Sequence, residues 1–303
     1  MKRRQFIQAM LASSGLVIAP ELLASGSTTL NTKVIPSSGE VIPVIGMGSF
    51  VNFNFPEDAE TVSKRTQLLD QFFTLGGKLI DSSPMYGSAE KNLGLCIKPQ
   101  QSKNTLFSAT KVWTSSVDDG ADEIEMSREL WQVDQFDLLQ VHNLLSWQGH
   151  LETLFEMKKK GQLRYVGVTT SHGRRHDDLE KIMLTQPIDF VQATYNIRDR
   201  EVEERILPIA KERGIAFIAN RPFQRGSIVD WAKSHPLPAY AKALDCDNWA
   251  NLLLKYIVSH PSVTCAIPAT TRMDHLIENM GALQGVMPDK AMRARIEKTV
   301  AGL

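Results

Sequence analysis

From residue 33 onward, short apolar runs rich in β-formers alternate with longer stretches of helical period, and this happens eight times. The runs are 45–50, 78–82, 106–111, 136–141, 165–169, 190–193, 215–219 and 263–267. Helical patterning fills 57–75, 89–97, 124–131, 151–160, 179–184, 203–212 and 249–259, then resumes near Asp274 and over 290–300. Near-continuous apolar strands between helices imply a parallel sheet covered by helices. Eight such units within roughly 250 residues match a closed (β/α)8 TIM barrel, an α/β fold. An open doubly wound sheet that bound a dinucleotide would show Gly-x-Gly-x-x-Gly after its first strand. Here Gly46-Met47-Gly48 is followed by Ser49-Phe50-Val51-Asn52, and no such fingerprint appears. Residues 33–45 read as two short strands around the Ser37-Ser38-Gly39 turn. No linker or internal repeat divides the chain, so residues 26–303 form one expected domain.

The first 25 residues stand apart. Lys2, Arg3 and Arg4 lead into a mildly apolar stretch that ends near Ala19, and the small residues Ala24 and Ser25 follow. This is the shape of a secretory signal. Its apolar part is too short and too polar for a membrane span, which needs about 20 apolar residues. Arg3-Arg4 followed by Gln5-Phe6 resembles a twin-arginine signal, a route that carries folded proteins. The expected location is therefore the periplasm, with the twin-arginine export machinery as partner of the precursor. The alternative is an uncleaved amphipathic helix and a cytoplasmic protein. The 34 basic and 34 acidic side chains balance, which argues against nucleic-acid binding by bulk charge. Cys96, Cys246 and Cys265 are an odd number without short spacing, which fits neither a disulfide framework nor a metal site.

In a barrel of this kind, chemistry sits where strands end on the C-terminal face. Asp81 ends the second run, Tyr86 lies five residues later, Lys111 closes the third run and His142 closes the fourth. These four residues can converge on one pocket. A lysine ammonium near a tyrosine hydroxyl favours the phenolate, and a buried aspartate can hold that ammonium. A neighbouring histidine can donate to a substrate oxygen. The set suits proton donation to a carbonyl oxygen while hydride reaches the carbon, and it needs no metal. Taken singly, each residue also fits a plainer role: a cap or turn for Asp81 and Tyr86, a rim charge or satisfied polar group for Lys111 and His142.

At this point the sequence resembles the aldo/keto reductases. The family motif appears as Asp81-Ser-Ser-Pro-Met-Tyr86-Gly87-Ser-Ala-Glu90, followed by Thr110-Lys111 and His142. Gly161-Gln-Leu-Arg-Tyr-Val-Gly-Val168 is similar to the fifth-strand signature, and 267–279 to the cofactor-phosphate and adenine segment. The hairpin at 33–45 looks like the one that closes the barrel bottom. The resemblance implies NADP(H) bound in extended form, with NAD(H) as an alternative, and reduction of an aldehyde or ketone. It makes Tyr86 the general acid, Lys111 the group that lowers its pKa, Asp81 the partner of Lys111 and His142 the residue that orients the carbonyl.

The implied cofactor contacts begin with Gly48, Ser49, Phe50 and Asp81. Thr169-Thr170 stands where the family often has Ser-Asn for the carboxamide, and Gln192 is the next contact. Asn220-Arg221-Pro222-Phe223 replaces a stacking aromatic, with Arg221 reaching toward the pyrophosphate. Ile267, Ala269, Thr270 and Arg272 follow, the last two placed for the 2′-phosphate, with His275 where a basic residue is common. Glu278 and Asn279 fall near the adenine. Phe50, Trp113 and Trp147 are the expected substrate walls, and the 224–247 loop either shapes the pocket or is a helical excursion without chemical consequence. Two rivals remain: a catalytically silent barrel that binds a cofactor or partner, and a metal-dependent hydrolase. For the second, His142, His150, His172, His176, His235, His260 and His275 are too scattered.

Overall fold

A computed structural model describes residues 29–98 and 105–303, so the leader reading for 1–25 lies outside the described residues. The chain enters through an antiparallel hairpin, β1 (Thr32–Val34) and β2 (Val41–Pro43). Eight parallel strands then follow in chain order: β3 (Met47–Gly48), β4 (Leu79–Asp81), β5 (Phe107–Val112), β6 (Phe136–Val141), β7 (Leu163–Thr169), β8 (Phe190–Thr194), β9 (Ala216–Asn220) and β10 (Cys265–Ala266). Each pairs only with its sequence neighbours, from β3 through β10. The circle is completed at a seam where Ile45 bridges Ala266 in parallel. There Gly46 N–H donates to Ala266 O at 2.9 Å and Gly48 N–H to Pro268 O at 3.1 Å. This is a (β/α)8 barrel.

Helices α1 (Ala59–Thr74), α2 (Ala89–Ile97), α3 (Gly120–Trp131), α4 (Trp147–Lys159), α5 (His176–Thr185) and α6 (Ile206–Arg213) connect successive strands. Between β9 and β10 lie α7 (Ser227–Ala232) and α8 (Trp249–Val258), and α9 (Met273–Gly281) and α10 (Lys290–Ala301) follow β10. The local causes are visible in the sequence. Asp58 caps α1 by accepting the Thr61 N–H at 2.8 Å, and the helix buries Leu68, Leu69, Phe72 and Phe73 along one stripe. Gly94 lets α2 lie against α3, since a Cβ there would sit 1.9 Å from the Leu130 carbonyl oxygen.

The hairpin plugs the barrel. Its Ile35 and Ile42 are buried in one cluster with Leu79, Phe107, Leu138, Tyr165, Phe190, Ile218 and Cys265, the inward residues of the strands. The rings of Phe107, Tyr165 and Phe190 pack 5.5 to 6.1 Å apart. The Tyr165 hydroxyl is within hydrogen-bond reach of Ser38 Oγ (2.7 Å) and Glu40 Oε2 (2.6 Å), which ties the hairpin turn to the barrel floor. That floor is therefore apolar and closed, and the polar strand ends gather at the opposite mouth.

Three expected elements differ. β3 and β10 each span two residues rather than five or six, because the seam is made by single backbone bonds outside the ladder. The helix expected over 203–212 is split into a 3₁₀ turn, Glu201–Glu203, and α6. Pro208 has no N–H for the Glu204 carbonyl, so it tolerates only the first turn of a helix that restarts at Ile206. The 224–247 segment holds α7 and a 3₁₀ run, Ala239–Leu244. No helix among the described residues is long and apolar enough to cross a membrane.

Candidate active site

Asp81 is the last residue of β4, Lys111 lies in β5 and His142 follows β6, and all three are buried. Tyr86 ends a 3₁₀ turn, Pro84–Tyr86, whose first residues are held by Ser83 Oγ accepting the Met85 N–H at 3.2 Å. Lys111 Nζ donates to Asp81 Oδ2 at 2.6 Å and to the Ser82 carbonyl at 2.5 Å. The same ammonium lies 5.2 Å from the centre of the Tyr86 ring. The Tyr86 and His142 rings meet edge to face at 5.7 Å, interplanar angle 85°. The four residues singled out from the sequence do converge.

Three further residues, Gln140, Gln192 and Ser83, complete the cluster. Asp81 Oδ1 accepts from Gln140 Nε2 at 3.1 Å and from Gln192 Nε2 at 3.0 Å, so both carboxylate oxygens are committed. Gln140 was not among the expected site residues. Its signal was available: it is the polar residue two positions before His142 in an otherwise apolar strand end, hence on the same side of β6. Ser83 Oγ lies 2.8 Å from His142 Nδ1. A Ser83 hydroxyl that accepts the Met85 N–H and donates to Nδ1 would leave the imidazole proton on Nε2.

The electrostatics sharpen these roles. Burial and, to a lesser extent, Asp81 push the Tyr86 phenol above its ordinary value, although Lys111 pulls it down. Lys111 thus lowers the Tyr86 pKa as expected, but burial outweighs it, and the free site holds a protonated phenol at neutral pH. Burial and then the Lys111 charge push His142 down to about 3, so its imidazole is neutral. Burial alone would lower Lys111, yet Asp81 and Tyr86 win and keep it charged. Glu90 of the Asp81–Glu90 motif lies deeper. It accepts from Thr110, Ser127 and Trp131, and its burial raises its pKa.

Beside this cluster runs a cleft of about 650 Å³, lined from Gly48 and Tyr86 at one end to Glu278 and Asn279 at the other. Every residue expected to contact a cofactor lines it: Gly48, Ser49, Phe50, Asp81, Thr169, Thr170, Gln192, Asn220, Arg221, Phe223, Ile267, Ala269, Thr270, Arg272, His275, Glu278 and Asn279. Of the three expected substrate walls only Phe50 is there. Trp113 is exposed one residue beyond β5, where its backbone N–H donates to Glu123, and Trp147 opens α4 and packs on the outer core. The 224–247 segment contributes Arg225, Val229, Asp230 and Lys233 to the lining. Among the described residues no group of three or more His, Cys, Asp or Glu side chains is placed to hold a metal ion.

The sequence model of the aldo/keto reductase family matches residues 44–300. The chain belongs to that family. Relatives include an uncharacterised oxidoreductase of Schizosaccharomyces pombe, 28% identical over 179 residues that make up 58% of this chain and 56% of that protein. The aldo-keto reductase YhdN of Bacillus subtilis is 29% identical over 173 residues, 52% of this chain and 50% of that protein. The chain thus spans about half the length of these two relatives. A Klebsiella pneumoniae aldo/keto reductase solved with NADP and acetate shares the fold, at a TM-score of 0.74 and 20% identity over 90% of this chain and 95% of that one.

The cleft fits a nicotinamide dinucleotide at some points and is already occupied by protein partners at others. Thr170 Oγ1 is buried without a hydrogen-bond partner among the described residues, in the segment expected to meet the carboxamide. A Cβ at Gly48 would come 3.1 Å from the Ile267 carbonyl, so glycine keeps the two lips of the seam close. By contrast, the Gln192 amide N–H is spent on Asp81, and its Oε1 accepts from Asn220 at 3.3 Å. Arg272 is exposed and pairs two-pronged with Asp274, so a 2′-phosphate there would compete with a carboxylate two residues away.

Proposed function

We propose that the protein is an NADP(H)-dependent oxidoreductase that reduces an aldehyde or ketone to an alcohol. The observation that carries this reading is the buried Lys111–Asp81 pair set beneath the Tyr86 ring, with neutral His142 at its edge. A bound nicotinamide supplies a hydride to the carbonyl carbon. Thr170, Asn220 and the 267–279 segment would hold the dinucleotide, and the Klebsiella relative solved with NADP supports that choice. The substrate's carbonyl oxygen sits between Tyr86 and His142. His142 Nε2–H donates to that oxygen and orients it without giving up a proton, since the imidazole is neutral and weakly basic. Tyr86 Oη transfers its proton to the oxygen as negative charge develops there. The phenolate left behind is stabilised by the Lys111 ammonium, which Asp81, Gln140 and Gln192 hold in place, and is then reprotonated from solvent.

Tyr86→Phe tests this reading. Carbonyl reduction should fall by a factor of about 10² to 10⁴, the usual worth of a positioned general acid. NADPH binding, followed by tryptophan quenching, should be retained and should be tighter than NADH binding. Unchanged turnover would remove Tyr86 as proton donor.

We also propose that residues 1–25 act as a twin-arginine signal and that the folded barrel of residues 26–303 is delivered to the periplasm. The support is the Arg3-Arg4 pair ahead of a short apolar stretch. A compartment without a free pool of NADPH would require the dinucleotide to travel bound and be recycled between an alcohol and a carbonyl substrate. The double variant Arg3→Lys, Arg4→Lys should leave the precursor inside the cell, and continued export would refute the assignment.

A further inference from the structure

The cations of the cleft fall into two groups. Near α9, Arg272 is paired with Asp274, and Lys233 lies 3.6 Å from Glu278. Arg221 and Arg225 line the same cleft, and neither forms an ion pair with a carboxylate among the described residues. Burial, followed by repulsion from Arg225, lowers the proton affinity of Arg221, although Asp199 opposes this. Unpaired guanidinium groups that repel each other across a concave surface are relieved by an anion.

Arg225 is the member of this pair tied to the reacting end. Its guanidinium carbon lies 5.1 Å from the centre of the Phe50 ring, and Phe50 meets Tyr86 edge to face at 4.9 Å. One aromatic ring therefore separates Arg225 from the proton donor. The backbone that presents it is unusual. Arg221, Gln224 and Arg225 have φ of +51°, +60° for Arg225 itself and +47° for Gln224, and Gly226 follows at +98°. L-residues seldom adopt this region, and runs of it concentrate at binding and active sites. Phe50, Val51 and Met85 give the wall beside Tyr86 an exposed apolar face, next to the polar Asn52 and Asn143.

We propose that the carbonyl substrate carries a carboxylate on a short apolar stem, and that Arg225 binds this carboxylate while Tyr86 and His142 hold the carbonyl oxygen. The stem lies along Phe50 and Met85. This substrate class rests on the reductase reading above. A planar guanidinium offers paired donors to a carboxylate, which a neutral aldehyde cannot use. Discrimination then comes from a residue outside the proton-transfer machinery.

The test compares 4-oxobutanoate with butanal, an uncharged aldehyde of the same chain length, in the presence of NADPH. The full protein should favour the carboxylate substrate in kcat/KM by about tenfold or more. Arg225→Met should bring the ratio close to one, and Arg225→Lys should restore part of it. NADPH affinity is measured for each variant by tryptophan quenching, and succinate binding is measured calorimetrically with NADP⁺ present. Succinate should bind the unaltered protein and lose that binding in Arg225→Met. A ratio near one in the unaltered protein overturns the proposal. So does a ratio that survives Arg225→Met while NADPH affinity drops, which would assign Arg225 to the dinucleotide's pyrophosphate. If neither aldehyde is turned over, succinate decides. Binding lost in Arg225→Met upholds the anion site and overturns only the reductase reading, and binding that is equal in both proteins overturns the site.

Discussion

His142 shows how burial sets the working state of a single side chain. With its pKa held near 3, it carries no charge at any pH where the fold is expected to function. The pH profile of turnover should therefore show no inflection near 6.5 from this residue. The same shift makes a stability statement. The unfolded chain takes up a proton at His142 below about 6.5, while the folded chain does not until about 3, so the stability contribution is complete above 6.5 and falls as pH drops through that window. Between pH 7.5 and 5 the unaltered protein should lose about 2 kcal/mol more than His142→Gln, as measured by urea unfolding. Equal losses would mean that His142 is protonated in the folded state. At this scale the sequence was informative wherever a polar residue closes an apolar strand, as at Asp81, Lys111 and His142. Trp113, expected as a substrate wall, lies one residue past the end of β5, is exposed, and is not among the residues that line the cleft.

At the scale of elements, contact between α2 and α3 matters more to the site than its distance from the cleft implies. Glu90 on α2 accepts from Thr110 on β5 and from Ser127 and Trp131 on α3, and Thr110 is the neighbour of Lys111. Gly94, one turn beyond Glu90, allows that approach. Gly94→Ala should push the two helices apart and cost about 1–3 kcal/mol in chemical unfolding, as overpacking of a tight contact does, despite the better helix propensity of alanine. A neutral or stabilising result would mean that the helices can slide without loss. The boundaries of α2 and β6 were legible because each is a self-contained run, Ala89–Ile97 and Phe136–Val141. Those of α6 were misread because the helical period runs across Pro208, whose missing N–H outweighs the pattern.

For the molecule as a whole, the number and order of strand units sufficed to indicate the barrel, and the Ser37-Ser38-Gly39 turn indicated the hairpin at its floor. The pairing of Arg272 with Asp274 was less accessible, because a carboxylate two residues away can point elsewhere until the start of α9 fixes both. The unpaired state of Arg225 was inaccessible for a related reason: it depends on which carboxylates other loops bring near, and these are far apart in sequence. The Lys111–Asp81 pair was legible because neighbouring strands in a parallel barrel must place their ends side by side.

The seam between β3 and β10 has a consequence for how the protein comes into being. One lip of the cleft, Gly48 to Phe50, comes from the first barrel strand, and the other, Ile267 to Asn279, follows the last. A ligand that needs both lips has nothing to hold until all eight strands have been made and the circle has shut. Binding is thus an inspection of finished workmanship: only a barrel joined end to end can keep its ligand.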